Sequence, residues 1–375
     1  MALAEAALAA LAIGVNYSVA RTSKLLWGAL SAWTTISLSA HVAEGIRFSE
    51  WMPGATWIRA LGLLWLVLAV PAYALSVLWN KSRIEVDPGR RRLLRAGATL
   101  AAAPIAATGF AIHKARRDAE VREVELAIPN LAPDLQGLRL VQLSDIHLGS
   151  FFSEAQLRRV VDQANGLGAD LAMITGDLIS SYGDPLEEAI AELARLRTNA
   201  GIYGCLGNHE IVAECEALTT DLAARRGMRF LRSQSATLRF GQSKLNIAGV
   251  DYQRLGRPYL ADAAGMVRPG ELNLLLSHSP DVFPVAVKQS WDVVLSGHTH
   301  GGQITLEYLD SRLNPARFYT PYTYGKYTQN ESSLFVTSGL GTVGVPARLG
   351  TSPELVSIRL TCGSQQNPSG PQKVV

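Results

Sequence analysis

From about residue 138 onward, short apolar runs alternate with segments in which apolar residues recur every three or four positions. Runs such as "LRLVQLSD", "ADLAMITGD" and "GIYGCLGNHE" have the length of strands. By contrast, "SEAQLRRVVDQANGLG" and "DPLEEAIAELARLR" carry the spacing of amphipathic helices. Ser153 and Gln156 stand as a capping box at the start of the first of these, and glycine closes it. Shorter strands are predicted in "LNIAGVD", "LNLLLSHS", "WDVVLSGH", "SLFVTSG" and "ELVSIRLT". This alternation predicts an α/β domain beginning near Glu120, of about 240 residues, ample for one two-layered core.

The N-terminal third has another texture. "ALGLLWLVLAVPAYALSVLWN", residues 60–80, carries no charge and is close to the length that crosses a bilayer, with Pro71 as a tolerated kink. Weaker candidate transmembrane helices lie at 6–20, which also fits a buried amphipathic helix, and at 25–43 and 96–112. The last follows "GRRRLLRAG", which is similar to a twin-arginine export signal built on Arg90 and Arg91, although it lies far inside the chain and has Gly89 where Ser or Thr is common. A fourth transmembrane helix with a basic flank accounts for the same residues. In both cases the six basic residues between Lys81 and Arg95 are expected in the cytoplasm and the following domain outside it. "HKARR" at His113–Arg117 places charge on the far flank and weighs the other way.

Composition agrees with a membrane-associated chain: 48% of the 375 residues are hydrophobic and only 18% charged. The net charge of +3 and the lack of a long basic block outside the N-terminal third give no reason to expect nucleic acid. Cys205, Cys215 and Cys362 have neither an even count nor CxxC spacing, so no disulfide framework is indicated.

Several predicted strands end in polar clusters. These are Ser144-Asp145-Ile146-His147, Gly176-Asp177, Gly207-Asn208-His209-Glu210, Ser277-His278 and Gly297-His298-Thr299-His300. Ligands of open α/β sheets bind at the carboxyl ends of strands, so clusters far apart in sequence are expected to converge. In an extended backbone His298 and His300 would project to the same side, with Gly297, Gly301 and Gly302 permitting close approach. Taken alone the pair also fits a solvated loop. Five of the seven histidines lie in these strand-end clusters, which also hold Asp145, Asp177 and Asn208, and this points to a metal centre.

The order D-x-H, G-D, G-N-H-E, a lone His and G-H-x-H resembles the calcineurin-like metallophosphoesterases over roughly residues 121–362. "LSDIHLG", "LLLSHSP", "SGHTHGGQ" and "TSGLGTVGVPARLGTSPEL" are most similar to the bacterial membrane-associated phosphodiesterase group. The resemblance implies an α/β fold with a two-layered β-sandwich flanked by helices, here preceded by an all-α transmembrane region. It implies two divalent transition-metal ions, with Mn, Fe and Zn compatible. Asp145, His147, Asp177 and His300 would hold one ion, and Asp177, Asn208, His278 and His298 the other, with Asp177 bridging. A carboxylate can span two ions, imidazoles suit first-row metals, and the Asn carbonyl ligates without adding charge.

The implied reaction is hydrolysis of a phosphodiester by a dimetal-bridging hydroxide. His209 would lie over the substrate as catalytic acid, or else anchor the turn, and Glu210 would orient that imidazole or be solvated. A phosphomonoesterase and a metal-stabilised interaction module without turnover are the alternatives.

The expected partners are a phosphate-ester substrate, membrane lipid and the twin-arginine export machinery. The substrate is expected among envelope or lipid-linked phosphates at the cytoplasmic membrane. Phe318, Tyr319, Tyr322, Tyr324 and Tyr327 either line a groove for it or pack a β-hairpin. The domain plan is a membrane region (1–113), a linker and approach (114–137), the phosphoesterase domain (138–362) and a flexible tail (363–375).

Overall fold

The computed structural model describes residues 106–253, 259–305 and 313–363, the backbone of 372–374, and the isolated positions Ala60 and Gly89. The candidate spans at 6–20, 25–43 and 60–80, the Arg90–Arg91 segment and most of 96–112 therefore lie outside the described residues, and with them the transmembrane region expected ahead of the domain. Among the described residues no helix is long and apolar enough to cross a membrane. The chain divides into two units, Met1–Lys114 with Gly344–Ala347, and Ala115–Val343 with Arg348–Val375. The second holds the strands and is described below.

In chain order its strands are β1 (Glu120–Pro129), β2 (Arg139–Leu143), β3 (Leu171–Thr175), β4 (Ile202–Cys205), β5 (Arg229–Phe230), β6 (Gln234–Phe240), β7 (Ser243–Gly249), β8 (Leu272–Leu276), β9 (Val293–Ser296), β10 (Gly325–Gln329), β11 (Ser332–Val336), β12 (Glu354–Gly363) and β13 (Gln372–Val374). The helices are α1 (Glu154–Gly166), α2 (Leu186–Leu193), α3 (Asn208–Val212), α4 (Glu216–Arg225) and α5 (Phe283–Lys288). One sheet has the order β1-β12-β2-β3-β4-β5 and the other β13-β10-β11-β9-β8-β7-β6. Strands β2 to β5 run parallel, as do β7, β8, β9 and β11, so each sheet collects several strand carboxyl ends along one edge.

Both faces of the central strands are buried, which is why their sequences read as continuous apolar runs. Leu140, Leu171, Met173 and Tyr203 meet Ile247, Leu274, Leu295 and Phe335 of the other sheet. The alternate residues Val141, Leu143, Ala172 and Ile174 pack instead with Leu157, Val160, Val161 and Ile190 of α1 and α2. On the far side of the second sheet Leu275, Val294 and Val336 meet Phe283, Ala286 and Trp291. Gln142 is the polar exception between the sheets, its amide donating to Thr175 Oγ1 and the Ser296 carbonyl, both at 3.0 Å.

Part of the stretch expected as linker is the edge strand β1, which pairs with β12 in parallel over its ten residues. Its glutamates face water while Leu126 and Ile128 enter the core, an alternation too polar on average to stand out among the apolar runs. The tail expected to be flexible contributes β13, whose backbone pairs antiparallel with the otherwise open edge of β10.

Candidate metal centre

Each polar cluster begins where a strand stops. β2 delivers Asp145, β3 Asp177, β4 Asn208, β8 His278 and β9 His298. The crossing from strand to loop is tight. A Cβ at Gly297 would overlap Ser144 Oγ and the Asp145 carboxylate, and one at Gly207 would overlap the Asp177 carboxylate, so only glycine lets these loops meet. Five of the seven predicted donors adopt left-handed backbone, with φ of 49° at Asp145, 48° at His147, 55° at Asp177, 75° at His298 and 50° at His300. Such conformations cost on the order of 1–3 kcal/mol each and persist where surrounding contacts over-determine them.

Those contacts are main-chain bonds between loops. Asp145 N–H donates to Gly176 O, His147 N–H to Asp177 O, and His298 N–H to the Asp145 carboxylate at 2.9 Å. Asp177 Oδ1 accepts from His209 N–H at 2.8 Å.

The donors form two neighbouring sets, Asp145 with His147 and His300, and Asp177 with His278 and His298. Asp177 also stands within the same reach of His147 and His209, and so lies between the sets. Its Oδ2 is 3.0 Å from His278 Nε2 and 3.7 Å from His147 Nε2. His147 Nε2 and His300 Nε2 are 3.1 Å apart. His298 and His300 do not project together as an extended strand would place them. β9 ends at Ser296, the left-handed turns redirect the backbone, and the two imidazoles enter different sets.

Outer contacts aim the rings. His278 Nδ1 lies 2.6 Å from Thr175 O and acts as donor to it, which leaves Nε2 toward Asp177. His147 Nδ1 is 3.0 Å from Ser180 Oγ, and His209 Nδ1 is 2.6 Å from Ser180 O. Asp184 holds that loop by accepting from Ser180 N–H and Ser181 N–H.

Burial takes His147 down to about 3, His298 to about 4, and His300 well below the ordinary histidine value, so these three imidazoles are neutral at pH 7, the form that ligates a metal. Burial likewise pushes Asp145 up to about 6. Burial works against the charge on Asp177, but His278 and His209 hold its carboxyl well below the usual range. For His278 burial is outweighed by Asp177, which raises it to about 10 and marks a place where the site favours positive charge. Asn208 Oδ1 is buried without a hydrogen-bond partner, an orphaned carbonyl oxygen beside these groups. Two buried carboxylates, neutral imidazoles and an unpaired carbonyl fit divalent metal ions.

Glu210 departs from expectation. It is not solvated, and its carboxylate hydrogen bonds go to backbone N–H groups while His209 Nδ1 is held by Ser180 O. Glu210 is fully buried and accepts from Gly207 N–H at 2.7 Å, Asp177 N–H at 3.0 Å and Leu178 N–H at 2.7 Å. Arg348 lies outside the predicted site residues. It too is fully buried, and its guanidinium donates to the carbonyls of Ser338, Gly339, Gly341 and Ser352. Burial lowers it to about 10. The loop it gathers returns Leu340 N–H to Ser144 O and Gly341 N–H to Asp145 O. The only signal for it was an arginine just beyond a run of closely spaced glycines.

The aromatic segment divides. Tyr322 and Tyr327 pack edge to face at 5.2 Å inside the core, and Tyr324 donates to Glu354. Phe318 and Tyr319 stay exposed, and Tyr319 lines a cavity that reaches His298 and His300.

Two sheets between helices, with a buried histidine–carboxylate cluster where strand ends meet, define an α/β protein built around a divalent metal centre. The sequence profile of the calcineurin-like phosphoesterases matches residues 138–302. An uncharacterized metallophosphoesterase of Campylobacter jejuni is 32% identical over 254 residues, 66% of this chain and 65% of that one. A Danio rerio protein named transmembrane protein with metallophosphoesterase domain is 31% identical over 266 residues, 67% of this chain and 59% of its own length. The Bacillus subtilis metallophosphoesterase YkuE is 30% identical over 279 residues, covering 72% of this chain and 97% of that one. The chain belongs to the calcineurin-like phosphoesterase family. The matched region spans about two thirds or less of the first two relatives.

Proposed function

We propose that this chain hydrolyses phosphoric esters, phosphodiesters ahead of monoesters, with two divalent ions held by Asp145, His147, Asp177 and His300 on one side and by Asp177, Asn208, His278 and His298 on the other. The observation that carries this reading is the position of Asp177 between the two buried donor sets. When bound, the ions supply Lewis acidity toward a phosphoryl oxygen and make water nucleophilic near neutral pH.

The chain's own groups do the rest. The bond from His209 Nδ1 to Ser180 O leaves Nε2 to carry a proton to the departing oxygen, from a residue that is only half-buried and so reachable by substrate. Preference for a diester is supported by the cavity beside His298 and His300, whose described lining includes no lysine or arginine to match the second charge of a monoester.

Membrane attachment is supported by the apolar N-terminal runs and by the name of the zebrafish relative. The basic stretch 81–95 favours a catalytic domain outside the cytoplasm, where envelope phosphodiesters would be its substrates.

The test is hydrolysis of an aryl phosphodiester and an aryl phosphomonoester by the purified protein loaded with Mn, Fe or Zn. Faster turnover of the diester supports the proposal. Faster turnover of the monoester makes the protein a phosphomonoesterase, and bound metal without turnover of either makes it an interaction module.

A further inference from the structure

The cavity beside the metal centre, of about 400 Å³, is lined by His298 and His300 of the donor sets, by the apolar Ile304, Pro315, Ala316, Tyr319 and Val343, and by uncharged polar residues such as Gln253 and Thr320. Three of these side chains are large, apolar and open to water: Ile304 is 40% exposed, Tyr319 69% and Val343 38%. Phe318, next to Tyr319, is 84% exposed. Apolar side chains left at a catalytic mouth retain the free energy of leaving water until something covers them. Among the described lining residues the only carboxylate is Asp281, and none is a cation. A second phosphate, as in a nucleotide anhydride, would find no lysine or arginine among these residues and one repulsive carboxylate. A hydrocarbon chain matches the apolar wall in both polarity and charge.

We propose that the wall from Ile304 to Tyr319 and Val343 holds the hydrocarbon chain of a lipid-type phosphodiester whose phosphoryl group lies beside His298 and His300. This deepens the phosphodiesterase reading and rests on it for the reaction. The binding surface itself is measurable without turnover.

The experiment titrates methylphosphinates bearing ethyl, butyl, hexyl and octyl chains, which are singly charged like a diester and cannot be hydrolysed, calorimetrically onto the full chain, loaded with Mn and held in lipid nanodiscs. The wild type is expected to bind each longer homologue more tightly, by up to about 4-fold for every methylene that enters the cavity. An Ile304→Ser, Tyr319→Ser double variant, measured in the same nanodiscs to account for partition into lipid, should flatten that dependence. Both positions are exposed, so the substitutions open no core cavity, and an unchanged melting temperature confirms folding.

Equal slopes in the two proteins, or no dependence on chain length in the wild type, would overturn the proposal. Aryl diester hydrolysis is assayed on the same preparation. In the wild type, absence of a slope with hydrolysis intact rejects the chain-binding wall alone, and a slope that the double variant flattens, without hydrolysis in the wild type, rejects the phosphodiesterase reading alone.

Discussion

Glu210 accepts a hydrogen bond from the backbone N–H of Asp177 at 3.0 Å, with the same oxygen that accepts from Gly207 N–H. One buried carboxylate thus joins the loop after β3, which carries the central Asp177, to the loop after β4, which carries Asn208 and His209. Glu210→Ala leaves three buried N–H groups without an acceptor, at about 1–3 kcal/mol each. The variant should unfold at lower urea and bind less metal. Glu210→Gln, with one acceptor oxygen left, should fall between it and the wild type. Wild-type metal content in Glu210→Ala would show that the loops hold their places without the clamp.

Asp177 stands within reach of both donor sets, so changing it should empty both. Asp177→Asn is expected to reduce metal content from close to two ions per chain toward none, as read by elemental analysis. A variant that keeps a full pair would disprove the bridging role.

His209 touches the cluster by its edge, 4.7 Å from the His147 ring, and is tethered to Ser180 O. His209→Ala is expected to slow turnover by roughly 10²–10⁴-fold, the range for a positioned acid or base, with metal content nearly unchanged. Activity at the wild-type level would make His209 a structural residue.

The pairing of α1 with α2 should be sensitive to acid. Burial raises the Glu192 carboxyl, but Arg158 and Arg195 outweigh it and hold it below its ordinary value. A folded pKa below the unfolded one means that the contribution is complete above the unfolded carboxylate range and is lost as pH falls through the folded value. The two guanidiniums are 52% and 42% exposed, so the contribution is below about 1 kcal/mol. Glu192→Gln should lower the urea midpoint slightly at neutral pH, and the gap should close in acid. A gap independent of pH would assign the effect to packing.

Topology is testable by reporter fusion. Alkaline phosphatase joined after Glu120 is expected to be active, and a cytoplasm-dependent reporter near Asp87 likewise. Arg90→Lys with Arg91→Lys should block export by a twin-arginine route but leave a simple transmembrane helix in its orientation, because the charge is preserved. An inactive phosphatase fusion after Glu120 in the unmodified protein would place the domain inside.

Much of the centre is legible in the chain because metal donors must follow strand ends, and strand ends are local events. The run "LAMIT" closing on Gly176-Asp177 and "VVLS" closing on Gly297-His298 are read from composition alone, as is the Ser153–Gln156 capping box that the structure contains. The order of those motifs carries the family resemblance, and the two-sheet architecture is what that resemblance implies. What tertiary structure decided are relations between segments distant in sequence. The separation of His298 from His300 depends on left-handed turns forced by contact with Asp145, over 150 residues earlier. The same holds for Glu210 and Arg348, charged residues that a local reading places in water and that the fold buries because main-chain donors and acceptors from other loops surround them. β1 was legible only in hindsight, since one apolar face in an acidic stretch becomes a strand when β12 supplies its hydrogen bonds. Periodicity reports which residues seek the interior, but it carries no information about which neighbour they find there, and that neighbour sets backbone conformation, charge state and the shape of the cavity.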